Sequence, residues 1–185
     1  LLAAGAAAAA GTAASAQEAP PPLPPRDAEW LEEVAPLLSE EERAVFLSLS
    51  RDYQRQAFRR AFWAARDPHP ETPRNELRER WEERVRAARD RWGDLGDDRA
   101  RMLLLHGEPQ SRLEARCGGL LRPVEAWAYG GSDLVRGAFT LVFVQPQGDR
   151  KGRFRLWAPS AGLSPLLLFA APATADAVLA QQIVE

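Results

Sequence analysis

Residues 72–98 read TPRNELRERWEERVRAARDRWGDLGDD, and the parsing of this stretch decides the fold. Leu77, Trp81, Val85, Ala88 and Trp92 recur at spacings of four, four, three and four, on one face of an α-helix of about five turns. The opposite face carries Arg78, Glu79, Glu82, Arg86, Arg89 and Asp90, largely in alternating sign. Such a face is solvated, and its ion pairs contribute only ~0.3–0.5 kcal/mol each. Burying two indoles and a leucine contributes roughly 1.5–3 kcal/mol apiece, so packing decides this helix. The aromatic stripe is therefore expected to be core rather than a ligand cage. Thr72 is expected to cap the helix, with Pro73 at its first position. Gly93 to Asp98 then breaks the periodicity, and the chain differs on either side of that break.

Upstream the chain reads as helices. Asp27 is expected to cap a short one with Trp30, Leu31 and Val34 on one side. Ser39 and Glu42 form a capping box, with Leu38 placed as its hydrophobic staple and Val45, Phe46 and Leu49 as the inward stripe. Ser50 is expected to cap the next helix, with Tyr53, Ala57, Phe58, Ala61 and Phe62 as its apolar residues. It stops near Arg66, because Pro68 disfavours helical geometry in the residue before it. Downstream the chain reads as strands at Arg101 to His106, Glu125 to Tyr129, Ala138 to Gln145 and Arg153 to Ala158. Turns follow at Gly107-Glu108-Pro109 and at Pro146 to Asp149. Short connections favour an antiparallel meander. The expected class is α+β: N-terminal helices packed on a small antiparallel β-meander, with short C-terminal helices at Leu163 to Ala171 and Thr174 to Val184.

Several of these pieces together resemble one family. Phe62-Trp63, Arg66-Asp67-Pro68 and Thr72-Pro73 opening a charged helix look like the GWxTD domain of exported bacterial proteins. The likeness continues through Trp81 to Arg84, Trp92-Gly93 and Asp98 to Arg101 into Gly107-Glu108-Pro109. It ends with Glu125 to Tyr129 and Phe139 to Val144, covering Ser39 to Trp157. The family-motif positions are thus Phe62, Trp63, Arg66, Asp67, Pro68, Thr72, Pro73, Leu95, Asp98, Arg101, Gly107 and Pro109. The chain departs at the motif that names the family, where Gly-Trp-x-Thr-Asp becomes Asp94-Leu95-Gly96-Asp97-Asp98. If the loop is structural, Leu95 fills an apolar slot and Asp98 accepts backbone hydrogen bonds; if it carries an activity in relatives, that activity is altered here. The resemblance implies compartment and fold, not a reaction.

The termini fit an exported chain. Residues 1–16 read as a partial signal peptide, apolar to Ala14 and ending in the small-x-small Ala14-Ser15-Ala16, so Gln17 begins the mature protein. Residues 17–26 are a proline-rich linker, 27–158 the GWxTD-like domain, and 159–185 a helical tail read as truncated. The expected location is periplasmic or secreted, with no transmembrane span beyond the signal peptide. At 185 residues, 45% hydrophobic and 27% charged, the chain can build a packed core. Its net charge of −2 argues against general nucleic-acid binding, which scales with neutralising cations. Lone Cys117 excludes an intrachain disulfide and a four-thiolate zinc site, and reads as a small buried hydrophobe.

No catalytic signature assembles from spacing. His69 with Asp67 and Glu71 sits in a proline-rich turn with no helical spacing to aim the three at a metal. Asp94, Asp97 and Asp98 lack the ligand ladder of a calcium loop. Neither Gly118-Gly119 nor Gly130-Gly131 precedes a helix as a phosphate cradle, and Ser132 and Ser160 lack a nucleophile's context. His106 reads as a core or rim histidine. No cofactor and no metal site is expected. The expectation is a non-enzymatic module of the cell envelope that binds a protein or envelope component. The alternatives are a divergent envelope hydrolase or ligand-processing enzyme around Asp67, Asp98 and His106, and a structural domain of a longer protein.

Overall fold

A computed structural model describes residues 22–115, 120–149 and 151–168. Five α-helices come first: α1 (Pro25–Val34), α2 (Glu40–Ser48), α3 (Asp52–Ala64), α4 (Glu76–Trp92) and α5 (Asp98–His106). Four strands follow, β1 (Ser111–Ala115), β2 (Val124–Tyr129), β3 (Phe139–Val144) and β4 (Arg155–Trp157), paired antiparallel in the order β1-β2-β3-β4. The fold is α+β, helices then meander. Single 3-10 turns occupy Ala35–Leu37, Pro159–Ala161 and Ser164–Leu166.

The helices pack in two tiers on one face of the sheet. Trp30, Leu31, Val34, Phe46, Phe62 and Trp63 from α1 to α3 close a core against Trp81 and Val85 of α4 and Leu104 of α5. Edge-on and tilted rings fill it, with Trp30 4.9 Å from Phe46 and 5.4 Å from Phe62. One turn further along α4, Ala88 faces the sheet with Ala100 and Leu103, against Trp127, Tyr129 and Phe143. The register puts Trp127 opposite Leu141 and Glu125 opposite Phe143, so alternate residues of β2 and β3 share that inner face. Leu95 touches both cores.

Ser39 and Glu42 make the expected capping box, Ser39 Oγ accepting from Glu42 N at 3.2 Å and Glu42 Oε2 from Ser39 N at 3.0 Å. Several boundaries differ from expectation. Asn75, not Thr72, caps α4: its Oδ1 accepts from Arg78 N at 2.8 Å and its Nδ2 donates to Trp63 O at 2.7 Å. The Thr72 hydroxyl instead contacts His69 O, Arg74 O and a Glu76 carboxylate oxygen, in the turn before the helix, so Pro73 is not its first residue. Ser50 caps nothing in α3, which starts after Arg51, whose N–H the Gln54 side chain accepts at 3.1 Å. Asp27 lies inside the first turn of α1, which begins on Pro25 as proline's fixed φ allows.

Larger corrections concern which face turns inward and one whole element. Val45, Tyr53, Ala57 and Ala61 are exposed, while Arg55 is buried beside Phe58 and Phe62. Buried Asp27 turns α3, meeting Arg55 at 2.7 Å and also contacting Arg59, so an ion pair between helices overrides the local apolar pattern. Arg101 to His106 is not a strand but most of α5. Asp97 Oδ1 caps that helix, accepting from Arg99 N at 2.9 Å, and the adjacent Leu103 and Leu104 are both buried, as two faces of a helix permit and one face of a strand does not. The edge strand β1 takes its place in the meander. Of the helix expected at Leu163 to Ala171, the described part forms only the turn Ser164–Leu166, because Leu167 pairs with Leu121 in an antiparallel bridge. Residues 169–171, the helix expected at Thr174 to Val184, the expected signal peptide and Cys117 lie outside the described residues.

Candidate functional site: an arginine-lined cleft on an indole floor

The motif positions build structure. Phe62 and Trp63 sit edge-on in the first core, 5.1 Å apart. Arg66 Nη2 donates to both oxygens of Glu42 at 2.7 and 2.8 Å and to Leu37 O at 3.1 Å, and its guanidinium lies 3.8 Å from the Phe62 ring, tying the end of α3 to the start of α2. Asp67 accepts from His69 N at 3.0 Å in an exposed turn with Pro68. Gly107 adopts φ 76, a left-handed value where a side chain is strained, and its carbonyl accepts from the Tyr129 hydroxyl at 3.1 Å. Pro109 is half-buried beside it, while Arg101 is exposed at the rim of a shallow hollow with Leu95 and Gly96.

The loop from Asp94 to Asp98 holds the outer edge of β4. Asp97 Oδ2 accepts from Phe154 N at 3.0 Å, Asp98 Oδ2 from Leu156 N at 2.8 Å, and Asp98 N donates to Phe154 O at 3.1 Å. Asp94 is bound by Arg153 at 2.7 Å, which holds its carboxyl below the usual range. Behind the loop, Arg99 lies between buried Asp97 and buried Glu125, with contacts of 2.8 Å to each, and Glu125 accepts the Trp127 indole N–H at 2.5 Å. These carboxylates are occupied by cations and backbone amides. Among the described residues no group of three or more His, Cys, Asp or Glu could hold a metal ion.

The residues of the hydrolase reading do not converge. Asp98 and His106 open and close the nine-residue α5, so eight steps of ~1.5 Å set their backbones about 12 Å apart. His106 Nδ1 lies 2.9 Å from Ser132 Oγ, but that oxygen also accepts from Leu134 N at 3.3 Å and Val135 N at 3.1 Å. Burial, aided by Arg84, pushes the imidazole below its usual range and favours its neutral form. The hydroxyl therefore donates to Nδ1 while ordering its own turn, and no carboxylate contacts the ring among the described residues. His69 lies 3.5 Å from Glu71, both well exposed, beside a groove lined by mixed charges of α4.

A different cleft, without a motif in the sequence to mark it, gathers five arginines. It measures about 810 Å³ and opens between α1, α3 and α4. Its floor is made by Trp30, Trp63 and Trp81, and the last donates its indole N–H to Glu33 O at 3.0 Å. Arg26, Arg59, Arg60, Arg78 and Arg86 line it, against two acidic residues, Glu33 and Glu82. Both acids have partners: Arg89 stands 3.2 Å from Glu33, and Arg78 Nε donates to Glu82 at 2.7 Å. Burial nonetheless pushes the Glu33 carboxyl above its usual range. Among the described residues no carboxylate lies within ion-pair distance of Arg26, Arg60 or Arg86, and Asp27 offers one charge to two guanidiniums, Arg55 and Arg59. Arg59 spans 5.3 Å to the Trp30 ring, and its Nε is buried without a hydrogen-bond acceptor.

The chain matches no protein-family model, no curated protein and no solved structure. The cleft must therefore be read from its own chemistry. Planar guanidiniums with unspent donors fit phosphate or carboxylate oxygens in bidentate fashion, and the apolar floor keeps those bonds partly shielded from water. Sequence alone shows the cleft's arginines as three solvated faces, and only the crossing of the helices brings them together.

Proposed function

We propose that this chain is an exported, non-enzymatic binding or assembly module of the bacterial cell envelope, and that the arginine cleft is its ligand surface. One observation carries the reading: Arg26, Arg60 and Arg86, without a carboxylate partner among the described residues, converge with Arg59 and Arg78 over an apolar floor in a chain whose net charge is −2. A local cationic excess against an acidic average is a recognition feature, because self-repulsion otherwise disfavours crowding like charges. The GWxTD resemblance over Ser39 to Trp157 supplies the envelope context. The separation of Asp98 from His106 weighs against the hydrolase alternative. Among the described residues no helix is long and apolar enough to cross a membrane.

The test is crosslinking in envelope fractions with the wild-type chain and with the charge reversal Arg60→Glu/Arg86→Glu, using exposed Arg136→Glu outside the cleft as control. The reading expects a stoichiometric adduct, retained by the control and lost in the double variant. A chain that stays monomeric and unadducted in every fraction sinks it.

A further inference from the structure

The cleft's dimensions and charge layout narrow the class of ligand. About 810 Å³ falls within the roughly 300–1,000 Å³ typical of pockets for small organic molecules, and a concave wall suits a discrete ligand better than a flat bilayer. Arg78, Glu82 and Arg86 follow one another at i, i+4 and i+8, on one face of α4. At ~1.5 Å per residue the two arginines are about 12 Å apart along the axis, longer than a single phosphate or carboxylate can span. Arg60 approaches from α3 and Arg26 from α1, so cations stand on all three walls. Between them lie the margins of Trp30 and Trp63, 9% and 7% exposed, with Arg59 5.3 Å from the Trp30 ring and Arg78 6.0 Å from that of Trp63. An inorganic anion would leave that floor wet, and a neutral apolar molecule would leave the guanidiniums unanswered.

We propose that the cleft binds an elongated organic polyanion: a molecule with at least two phosphate, sulfonate or carboxylate groups joined by an apolar, ring-bearing body. The anionic groups meet Arg60, Arg86 and the Nη donors of Arg78, and the ring-bearing body lies against the Arg59 and Arg78 guanidiniums beside Trp30 and Trp63. Glu82 stands midway between Arg78 and Arg86 and disfavours anionic charge at the centre of the ligand, so the charges belong toward its ends. Such a ligand could be free or be the headgroup of a lipid; the chemistry in the cleft is the same. This inference rests on the cleft being the ligand surface, and adds what kind of molecule enters it.

The direct test uses bis-ANS, whose two sulfonates flank an aromatic body, titrated into the purified chain and followed by its emission and by tryptophan quenching. Single-site binding is expected. Arg60→Glu/Arg86→Glu is expected to weaken it by at least about tenfold, since each lost charge-assisted hydrogen bond is worth roughly that factor. Arg136→Glu, with the same type of charge change at one position, is expected to alter it less than twofold. The neutral pair Arg60→Gln/Arg86→Gln repeats the comparison with a smaller loss, and far-UV circular dichroism checks that both pairs fold. Tripolyphosphate, with charge but no body, is expected to bind more weakly than bis-ANS and to compete with it. Equal bis-ANS affinity in the wild type and both cleft pairs overturns the assignment, since the dye then sits elsewhere. A hexaglutamate peptide that outbinds bis-ANS with the same variant dependence also overturns it, in favour of an acidic protein segment. Co-sedimentation with anionic phospholipid vesicles, displaced by bis-ANS, assigns the polyanion to a lipid; bis-ANS binding without co-sedimentation assigns it to a free molecule. If bis-ANS fails while an envelope adduct still depends on Arg60 and Arg86, the ligand class falls and the binding module stands.

Discussion

Replacing Arg99 by methionine probes the junction between helices and sheet. The Arg99 side chain is 13% exposed and is flanked by Asp97 at 3% and Glu125 at 7%. It donates to Asp97 Oδ1 at 3.0 Å and Oδ2 at 2.8 Å and to Glu125 Oε2 at 2.8 Å, and its guanidinium lies 3.9 Å from the Phe154 ring. Methionine fills similar space between Phe154 and Trp92, so the change is one of charge more than volume. It leaves two buried carboxylates facing each other without a counter-ion, a loss worth about 3–5 kcal/mol. Against a total stability of roughly 5–15 kcal/mol, that is a large fraction. For a chain of this size it lowers the melting temperature by about 6–20 °C. Urea titration followed by tryptophan emission measures it. The triple variant Arg99→Met/Asp97→Asn/Glu125→Gln keeps the shapes and removes the stranded charges, so it is expected to recover at least about half of the loss. A single variant within about 1 kcal/mol of wild type, or a triple variant no better than the single, refutes the reasoning.

Asn75→Ala should cost about 1–2 kcal/mol and shorten α4, while Thr72→Ala costs less; urea midpoints and helicity by circular dichroism compare the two. Asp98→Ala should speed hydrogen exchange at the Leu156 amide by about tenfold or more, since that amide loses a charged acceptor; unchanged exchange would show that the edge is held otherwise. His106 has a folded-state pKa below its unfolded value, so the folded state binds fewer protons. Its contribution is therefore complete above about pH 6.5 and is lost as pH falls below that. The stability difference between wild type and His106→Phe should shrink from pH 7.5 to pH 5.5, measured by urea midpoints at each pH. Expressed for export in a bacterial host, the chain should be cleaved to begin at Gln17, which intact mass and N-terminal sequencing check.

Much of the helical half is legible because its signals are local. The Ser39 and Glu42 capping box, the Trp81–Val85–Ala88 stripe and the stop at Gly93, in the left-handed conformation at φ 77, each depend on residues within a turn or two. The alternation of Glu125, Trp127 and Tyr129 likewise marks β2 and its inner face. Misreadings arise where distant partners decide. Arg101 to His106 is a short apolar run that periodicity alone assigns to strand or helix equally, and Asp97 settles it as a cap. The strand β1 is mostly exposed and charged, and only pairing with β2 defines it. Arg55 faces inward because Asp27, twenty-eight positions earlier, is buried opposite it. The cleft is hidden for the same reason: Arg26, Arg60 and Arg86 look solvated one helix at a time, and the chain's net charge averages their excess away.

The apolar contacts that cross the Gly93 turn bear on how the molecule can be divided. The change in composition near residue 93 invites a cut into the four helices before it and α5 with the sheet after it. Yet Leu95 and Leu104 from beyond the cut plug the core of α1 to α4, and Ala88 and Trp92 before it pack on the core of the sheet, so neither piece would carry a finished surface at the cut. Heat or denaturant should dismantle both tiers in a single step, and a protease nick in this loop would spoil the whole body rather than release two sound halves.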